Sequence, residues 1–288
     1  MTTKRQSSRK GFHRHAAREP LAFEQQRADQ LLRDAVEIPG KISDAFHLFH
    51  NFSIGNSLFL MEQMEIRGIA VGPVGTYPFW EAHGRHVISG PGSALWVVVP
   101  YDYTRVEVDE VTGEEVAYHG KVFKPKPIEF ALSQTAGEDY VPAPVGDWDP
   151  DRAVAALNIT MVPFAMVDGN CQGYATPSER TVAILPIAEH PEKTLVHEMA
   201  HVLLHEDTDD MTRGDKEMEA ECVALLVGDA LGLAGAAESR GYVQNWYGAG
   251  HAIDEKNAQR IMHAASEILT AGWPAKVKET EATAAVAA

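Results

Sequence analysis

His197-Glu198-Met199-Ala200-His201 is the most informative stretch of this 288-residue chain. The residues around it are mostly apolar, and Pro191 stands where a helix would begin, which predicts a helix over residues 191–205. Histidines four residues apart project from the same face of a helix, so both imidazoles can bind one ion. The stretch therefore predicts a metal centre.

Glu198 lies beside the two predicted ligands, one residue along from His197. A zinc ion held by neutral imidazoles lowers the pKa of its bound water toward about 7, and a neighbouring carboxylate takes the proton of that water. We therefore predict Zn²⁺ as the cofactor, His197 and His201 as its ligands, and Glu198 as the general base of a zincin-type hydrolase.

A catalytic zinc usually has a third protein ligand, and a glutamate from the next helix is the commonest one beside two histidines. Glu217, Glu219 and Glu221 all lie in the helix predicted over residues 216–231. Glu219 is preferred because it lies on the small-residue side, which can pack closely on the metal helix. Glu217 and Glu221 stay as alternatives, and an acidic first turn favoured by the helix dipole accounts for two of the three.

Three features near the motif allow two interpretations each. His205 could support a ligand, but a partly exposed histidine at a helix end is favoured. Tyr174, Tyr242 and Tyr247 could polarise a substrate carbonyl, although each is also a common core or surface aromatic. Residues 181–185 could be the edge strand that aligns an extended peptide, but a central strand has the same pattern.

Composition and charge restrict the class of protein. The hydrophobic content of 45% is that of a globular chain, and the net charge is −16. No stretch approaches the roughly 18 apolar residues of a membrane span, and no apolar stretch follows the basic N-terminus, so we expect a cytoplasmic protein without a membrane partner. Cys171 and Cys222 are expected to be reduced core residues. Only the first twenty residues, with six basic side chains against one acidic, suit a polyanion.

The hydrophobic pattern predicts an α+β chain of two domains. Helical periodicity covers residues 21–36, 42–49 and 56–64, and glycine-rich β segments follow, including a strand over residues 95–99 that ends at Pro100. Later strands are predicted at residues 164–167 and 181–185, and a turn-rich boundary at residues 142–150. The predicted parts are a disordered basic tail (1–20), a small N-terminal α+β domain (21–141), a zincin-like domain (150–275) and a frayed tail (276–288).

The metal helix and its successor resemble a known family. Residues 194–205, followed by Glu217-Met218-Glu219-Ala220-Glu221, resemble the ImmA/IrrE metallopeptidases. In those relatives the glutamate that precedes alanine in the second helix completes the metal site, which implies Glu219 here. The resemblance also implies a metallo-endopeptidase that cleaves a specific protein target, such as a repressor.

The first half resembles the N-terminal domain of ArdC-type antirestriction proteins. The motifs are Phe52-Ser53-Ile54-Gly55-Asn56-Ser57-Leu58, Trp80-Glu81-Ala82-His83-Gly84-Arg85-His86-Val87 and Phe130-Ala131-Leu132-Ser133-Gln134-Thr135-Ala136-Gly137. The resemblance implies a single-stranded-DNA-binding module joined to the zincin, in a protein carried by plasmids, phages or other mobile elements. Trp80 is then a candidate for stacking on bases and Arg85 for contacting the backbone, while core packing is the alternative for the aromatic residues.

Two functional hypotheses follow from these patterns. The first is a zinc metallopeptidase that cleaves a specific protein, with single-stranded DNA as the partner that locates the substrate. The second is a single-stranded-DNA-binding antirestriction protein whose metal site is structural or vestigial. Glu198 discriminates between them, because a purely structural site needs no base.

Overall fold

The computed structural model describes residues 27–49, 51–108, 115–142, 146–165, 171–206, 208 and 211–274, so both predicted tails lie outside the described residues. The chain is α+β, as expected. Its helices are α1 Ala28–Glu37, α2 Lys41–Phe49, α3 Ile54–Arg67, α4 Tyr77–Ala82, α5 Pro150–Ala156, α6 Pro191–Leu204, α7 Arg213–Leu231, α8 Ala236–Gly248 and α9 Glu255–Gly272. Its strands are β1 Val74–Thr76, β2 Arg85–Val87, β3 Leu95–Val108, β4 Glu115–Ala131, β5 Thr135–Gly137, β6 Thr160–Met161, β7 Gly173–Thr176 and β8 Thr181–Ile184.

Across the described residues these strands form three small sheets. The first has the order β1-β4-β3 and is antiparallel, and β2 pairs with β5 in a separate ribbon. The third has the order β6-β8-β7, with β8 parallel to β6 and antiparallel to β7. The strand at residues 181–184 is therefore central, and the edge next to it is β7, which the sequence did not predict. Phe164 and Ala165, predicted to begin a strand, lie outside any strand.

The strand predicted to end at Pro100 continues to Val108 and forms a long hairpin with β4. The backbone N–H groups of Trp96 and Val98 point away from β4 and donate to side-chain oxygens of Gln63 and Asn56 in α3, at 2.7 and 2.8 Å. Pro100 lies two residues further along, so its nitrogen is on the same outer edge. No ladder hydrogen bond is lost there, which is why an edge strand tolerates this proline.

The apolar core runs without a break across the predicted domain boundary. Leu32, Phe46 and Leu58 from the first three helices belong to the same buried cluster as Val196 and Leu225 from the C-terminal half. Helix α2 contacts α7, and α1 and α3 contact α9. The division at residues 142–150 stays a prediction, since the core itself does not mark it. Among the described residues, no helix has the length and apolar character that a membrane crossing requires.

Helices α6 and α7 pack against each other and hold the predicted site between them. Pro191 occupies the first turn of α6, where its missing N–H costs no hydrogen bond. Thr212 caps α7 by accepting a hydrogen bond from the Asp215 backbone N–H at 3.2 Å, and Gly232, with φ of 67°, ends it. Most of α7 is buried, so its rotation about its own axis is set by packing.

Candidate metal centre

Three side chains from α6 and α7 converge on one point. The Nε2 atoms of His197 and His201 lie 3.1 Å apart. The Oε2 atom of Glu217 lies 3.4 Å from Nε2 of His197 and 3.7 Å from Nε2 of His201. A tetrahedral zinc about 2.0–2.1 Å from each ligand holds those atoms roughly 3.3 Å apart. The three atoms therefore fit such an ion, and within the described part of the chain no other group of potential ligands is as close.

Glu219, the glutamate preferred from the sequence, does not join this cluster. It is fully buried on the packed side of α7, as the small-residue pattern indicates. That side faces the end of α6 and the helix α9, where Oε2 of Glu219 lies 3.1 Å from Nε2 of His205 and 3.6 Å from an Arg260 nitrogen. The cleft side of α7 carries Glu217 instead. The geometry thus differs from the prediction and brings Glu217 to the two histidines.

His205 is buried, with 5% of its surface exposed, so the expectation of an exposed helix-end histidine is wrong. Its Nδ1 lies 2.9 Å from Nδ1 of His201, directly behind the ring that faces Glu217. Burial lowers the pKa of His205, although the hydrogen bond with Glu219 opposes that shift. His205 therefore connects a predicted ligand to a buried carboxylate.

Glu221 occupies the corresponding place behind His197. Its Oε1 lies 3.4 Å from Nδ1 of His197 and 3.2 Å from the ammonium of Lys193. At the first distance the two groups lie close together without forming an aligned hydrogen bond. The three glutamates of α7 therefore have different surroundings: Glu217 faces the two histidines, Glu219 faces His205, and Glu221 faces Lys193. In Glu217, the neighbouring imidazoles of His197 and His201 lower the pKa of the carboxyl group.

Glu198 is buried beside the cluster, and Gly173 of β7 makes room for it. Burial raises the pKa of Glu198 to about 7, with the charges of Glu217 and Glu221 acting in the same direction and His201 in the opposite one. A Cβ atom at Gly173 would lie 3.0 Å from Oε1 of Glu198 and 2.8 Å from the Thr194 methyl group. Gly173 is not among the residues predicted for the site, because β7 was not predicted; a glycine inside a strand often marks a close approach of this kind.

The three side chains open onto a cleft of about 1070 Å³ between β7, α6 and α7. Of the three tyrosines considered, Tyr174 lines this cleft. Burial raises the pKa of Tyr242, and the charges of Glu217 and Glu221 act in the same direction, although the residue is 44% exposed. The Arg33 guanidinium lies over the ring of Tyr247, 4.9 Å from the ring centroid. Two of the tyrosines therefore lie near enough to the site to be considered for substrate contact.

Trp80 and Arg85, the residues predicted to contact DNA, have structural partners. Trp80 is fully buried and donates a hydrogen bond to the Phe130 carbonyl at 2.9 Å, so its ring has no face open to a base. The Arg85 guanidinium donates to the Thr135 hydroxyl and carbonyl at 2.9 and 3.1 Å, and to the Glu138 carbonyl. Both side chains hold the ribbon and its neighbours together, which corresponds to the core alternative for the aromatic residue.

No family model and no curated protein matches the chain. Two solved structures of the antirestriction protein ArdC from plasmid R388 are similar to it, one metal-free and one bound to Mn(II). Each is 20% identical in sequence and superposes with a TM-score of 0.42, and the comparison covers 85% of this chain. It covers 94% of the metal-free chain and 95% of the Mn(II)-bound chain.

Proposed function

We propose that this protein is a zinc-dependent hydrolase that cleaves a peptide bond in a specific protein target. The observation that carries the proposal is the convergence of His197, His201 and Glu217 beside the buried carboxylate of Glu198. Three ligands on one side leave a position open toward the cleft, which distinguishes catalytic from structural zinc sites. A structural site would also have no use for Glu198.

Each side chain has a separate task in this proposal. When bound, Zn²⁺ supplies Lewis acidity that polarises a carbonyl and lowers the pKa of a water molecule toward about 7. Glu198 accepts the proton of the attacking water and delivers it to the amine that leaves. His197, His201 and Glu217 hold the ion.

A peptide substrate is favoured by the strand beside the cleft. Within the described residues β7 pairs with β8 on one side only, and Gly173 and Tyr174 of β7 line the cleft. An extended peptide can add to such an edge through main-chain hydrogen bonds. The cleft volume also suits several residues of a chain, because it lies at the upper end of the roughly 300–1000 Å³ found for pockets that hold drug-sized ligands.

Metal analysis of the purified protein tests the first step of this proposal. We expect about one zinc per chain in the wild type and none in the His197→Ala, His201→Ala double variant. Removal of the metal with a chelator should stop cleavage of the protein target, and added Zn²⁺ should restore it. Stoichiometric zinc in the double variant would refute the site, and cleavage that survives chelation would refute the mechanism.

A second candidate function, antirestriction through binding of single-stranded DNA, is favoured by the β3–β4 hairpin. Tyr101, Tyr103 and Tyr118 share one face of it and are 39%, 48% and 52% exposed. Lys124 lies on the same face, its ammonium 5.7 Å from the Tyr101 ring centroid. Exposed aromatic rings beside cations are what sequence-tolerant binding of a single strand uses. In this function the metal would be structural, and single-stranded DNA the partner.

A further inference from the structure

The two nitrogens of His201 have different partners, and the second one leads into the protein. Nε2 faces His197 and Glu217, whereas Nδ1 lies 2.9 Å from Nδ1 of His205. The other nitrogen of His205 lies 3.1 Å from Oε2 of Glu219. These contacts form a line from a buried carboxylate to a predicted metal ligand. These contacts lie on the side of His201 away from the predicted metal ion.

We propose that His205 and Glu219 are positioning residues that fix the tautomer and ring orientation of His201, so that its Nε2 lone pair faces the metal. The proposal rests on the proposed function for its purpose, since it assigns His201 as a ligand. It gives Glu219 a place behind the metal centre. No direct bond from Glu219 to the ion is involved.

The assignment follows from donors and acceptors. An ionised carboxylate only accepts hydrogen bonds, so Glu219 requires a hydrogen on Nε2 of His205. A neutral imidazole with hydrogen on Nε2 has a lone pair on Nδ1, so Nδ1 of His205 accepts from His201. The hydrogen of His201 is then on its Nδ1. Its Nε2 is left unprotonated, which is the form that binds a metal.

Because both partners are buried, the hydrogen-bond arrangement of Glu219, His205 and His201 has no competition from water. Glu219 is 0% and His205 5% exposed, so bulk water does not replace either partner. Arg260 lies 3.6 Å from Oε2 of Glu219 and also donates to the Leu204 carbonyl at 2.7 Å, which keeps a positive charge beside the carboxylate. A buried carboxylate contributes little net stability compared with apolar packing, even beside a positive charge such as Arg260. Its presence behind a ligand therefore points to orientation as its role.

The same helix supplies a comparison on the other ligand. Glu221 approaches Nδ1 of His197 directly at 3.4 Å, without an intervening ring. Partners on the far nitrogen of a ligating histidine commonly change metal affinity by about 10- to 100-fold when removed. We expect the His205–Glu219 pair to have an effect of that size on His201.

Two readouts test the proposal in the full-length chain. Nitrogen NMR of the metal-free wild type should show His201 with hydrogen on Nδ1, and Zn²⁺ titration should give a reference affinity. His205→Phe removes the acceptor, so we expect mixed tautomers at His201 and about 10- to 100-fold weaker Zn²⁺ binding. His205→Asn keeps an acceptor oxygen and should restore most of that affinity.

Control variants separate orientation from folding. Glu219→Gln keeps the size of the side chain and should weaken Zn²⁺ binding in the same direction, with the fold intact by circular dichroism. Cys222→Ala removes a buried side chain on α7 whose thiol contacts Met218 at 3.6 Å, and its Zn²⁺ affinity should stay at the wild-type value. An unchanged tautomer and affinity in folded His205→Phe would overturn the proposal.

The NMR result also separates the hydrogen-bond assignment at His201 from the proposed metal site. If the wild type shows hydrogen on Nδ1 of His201 but binds no Zn²⁺, the proposed function fails while the hydrogen-bond assignment stands. If it binds Zn²⁺ with hydrogen on Nε2 of metal-free His201, the assignment fails while the metal site stands.

Discussion

Glu217 of α7 and His197 of α6 face each other across the helix pair, with the carboxylate Oε2 3.4 Å from the imidazole Nε2. No other glutamate in the described part of α7 has this relationship to both histidines, because Glu219 is turned into the core and Glu221 approaches His197 from behind. In the proposed metal site, the rotation of α7 about its axis therefore makes Glu217 the third ligand.

Glu217→Gln should lower the affinity for Zn²⁺ by about a hundredfold or more, because an amide oxygen is a weaker, uncharged ligand. Glu221→Gln is the matched control one turn along, and its loss should stay within the 10- to 100-fold range of residues behind a ligand. Competition titration with a zinc-binding dye measures both. A larger loss in Glu221→Gln than in Glu217→Gln would reverse the assignment.

Gly173→Ala should reduce peptide hydrolysis about tenfold or more while leaving zinc content unchanged. The new Cβ atom would lie 3.0 Å from the Glu198 carboxylate, so the base has to move from its place, and small displacements of catalytic groups are costly. Gly241→Ala, in α8 with no neighbouring atom within 4 Å, is the control. Equal turnover in the two variants would show that the position of Glu198 does not depend on this glycine.

Glu129 predicts a pH-dependent stability. It is 5% exposed, and burial raises its pKa to about 7 from 4.5. The folded chain keeps this proton when the unfolded chain has lost it, so the stability contribution is full below pH 4.5 and is lost as the pH rises to about 7. At pH 8, Glu129→Gln should be more stable than the wild type by about 3 kcal/mol.

Denaturant unfolding at pH 4.5 and pH 8 measures this difference. The advantage of Glu129→Gln should be much smaller at the lower pH, where the folded wild-type carboxyl is protonated and the unfolded one is only half ionised. Glu65→Gln, an exposed position on α3, should have little effect at either pH. An advantage of the same size at both pH values would contradict the role of ionisation.

Binding to single-stranded DNA should be weak and strongly salt-dependent. Deleting residues 1–18 removes six basic side chains and should reduce both the affinity and its dependence on salt. If the hairpin also binds, Tyr103→Ala should lower the affinity about tenfold, while Tyr77→Ala, an exposed tyrosine in α4, should not. A titration with labelled oligonucleotide decides this. Wild-type binding in both the truncated chain and Tyr103→Ala would exclude the tail and the hairpin.

Local patterns predicted the residues whose geometry is set within one helix. His197, Glu198 and His201 depend only on the helical period, and the structure places them together as expected. Glu219 was preferred because its side of α7 packs closely, and that side is indeed buried. Which helix it faces depends on how α7 is rotated in the core, and no pattern within α7 contains that information.

The same limit explains the N-terminal differences. Trp80 and Arg85 have the residue types of a nucleic-acid contact. In the fold, however, Trp80 is fully buried and the Arg85 guanidinium donates hydrogen bonds to backbone carbonyls. Pro100 is a strand breaker by propensity, yet β3 accepts it because that edge needs no donor at this position. Gly173 is visible as a glycine in the sequence, but its neighbour Glu198 is known only from the fold.

The most direct test of the account is Glu198→Gln, which keeps the size of the side chain and removes its basicity. Zinc content should remain that of the wild type and the chain should stay folded, because Glu198 lies beside the three ligands and is not one of them. Hydrolysis of the protein target, followed by mass spectrometry of the products, should fall by about a hundredfold or more, the scale of losing a positioned base. Turnover equal to the wild type at full zinc content would contradict the proposed mechanism, and loss of zinc would place Glu198 among the ligands.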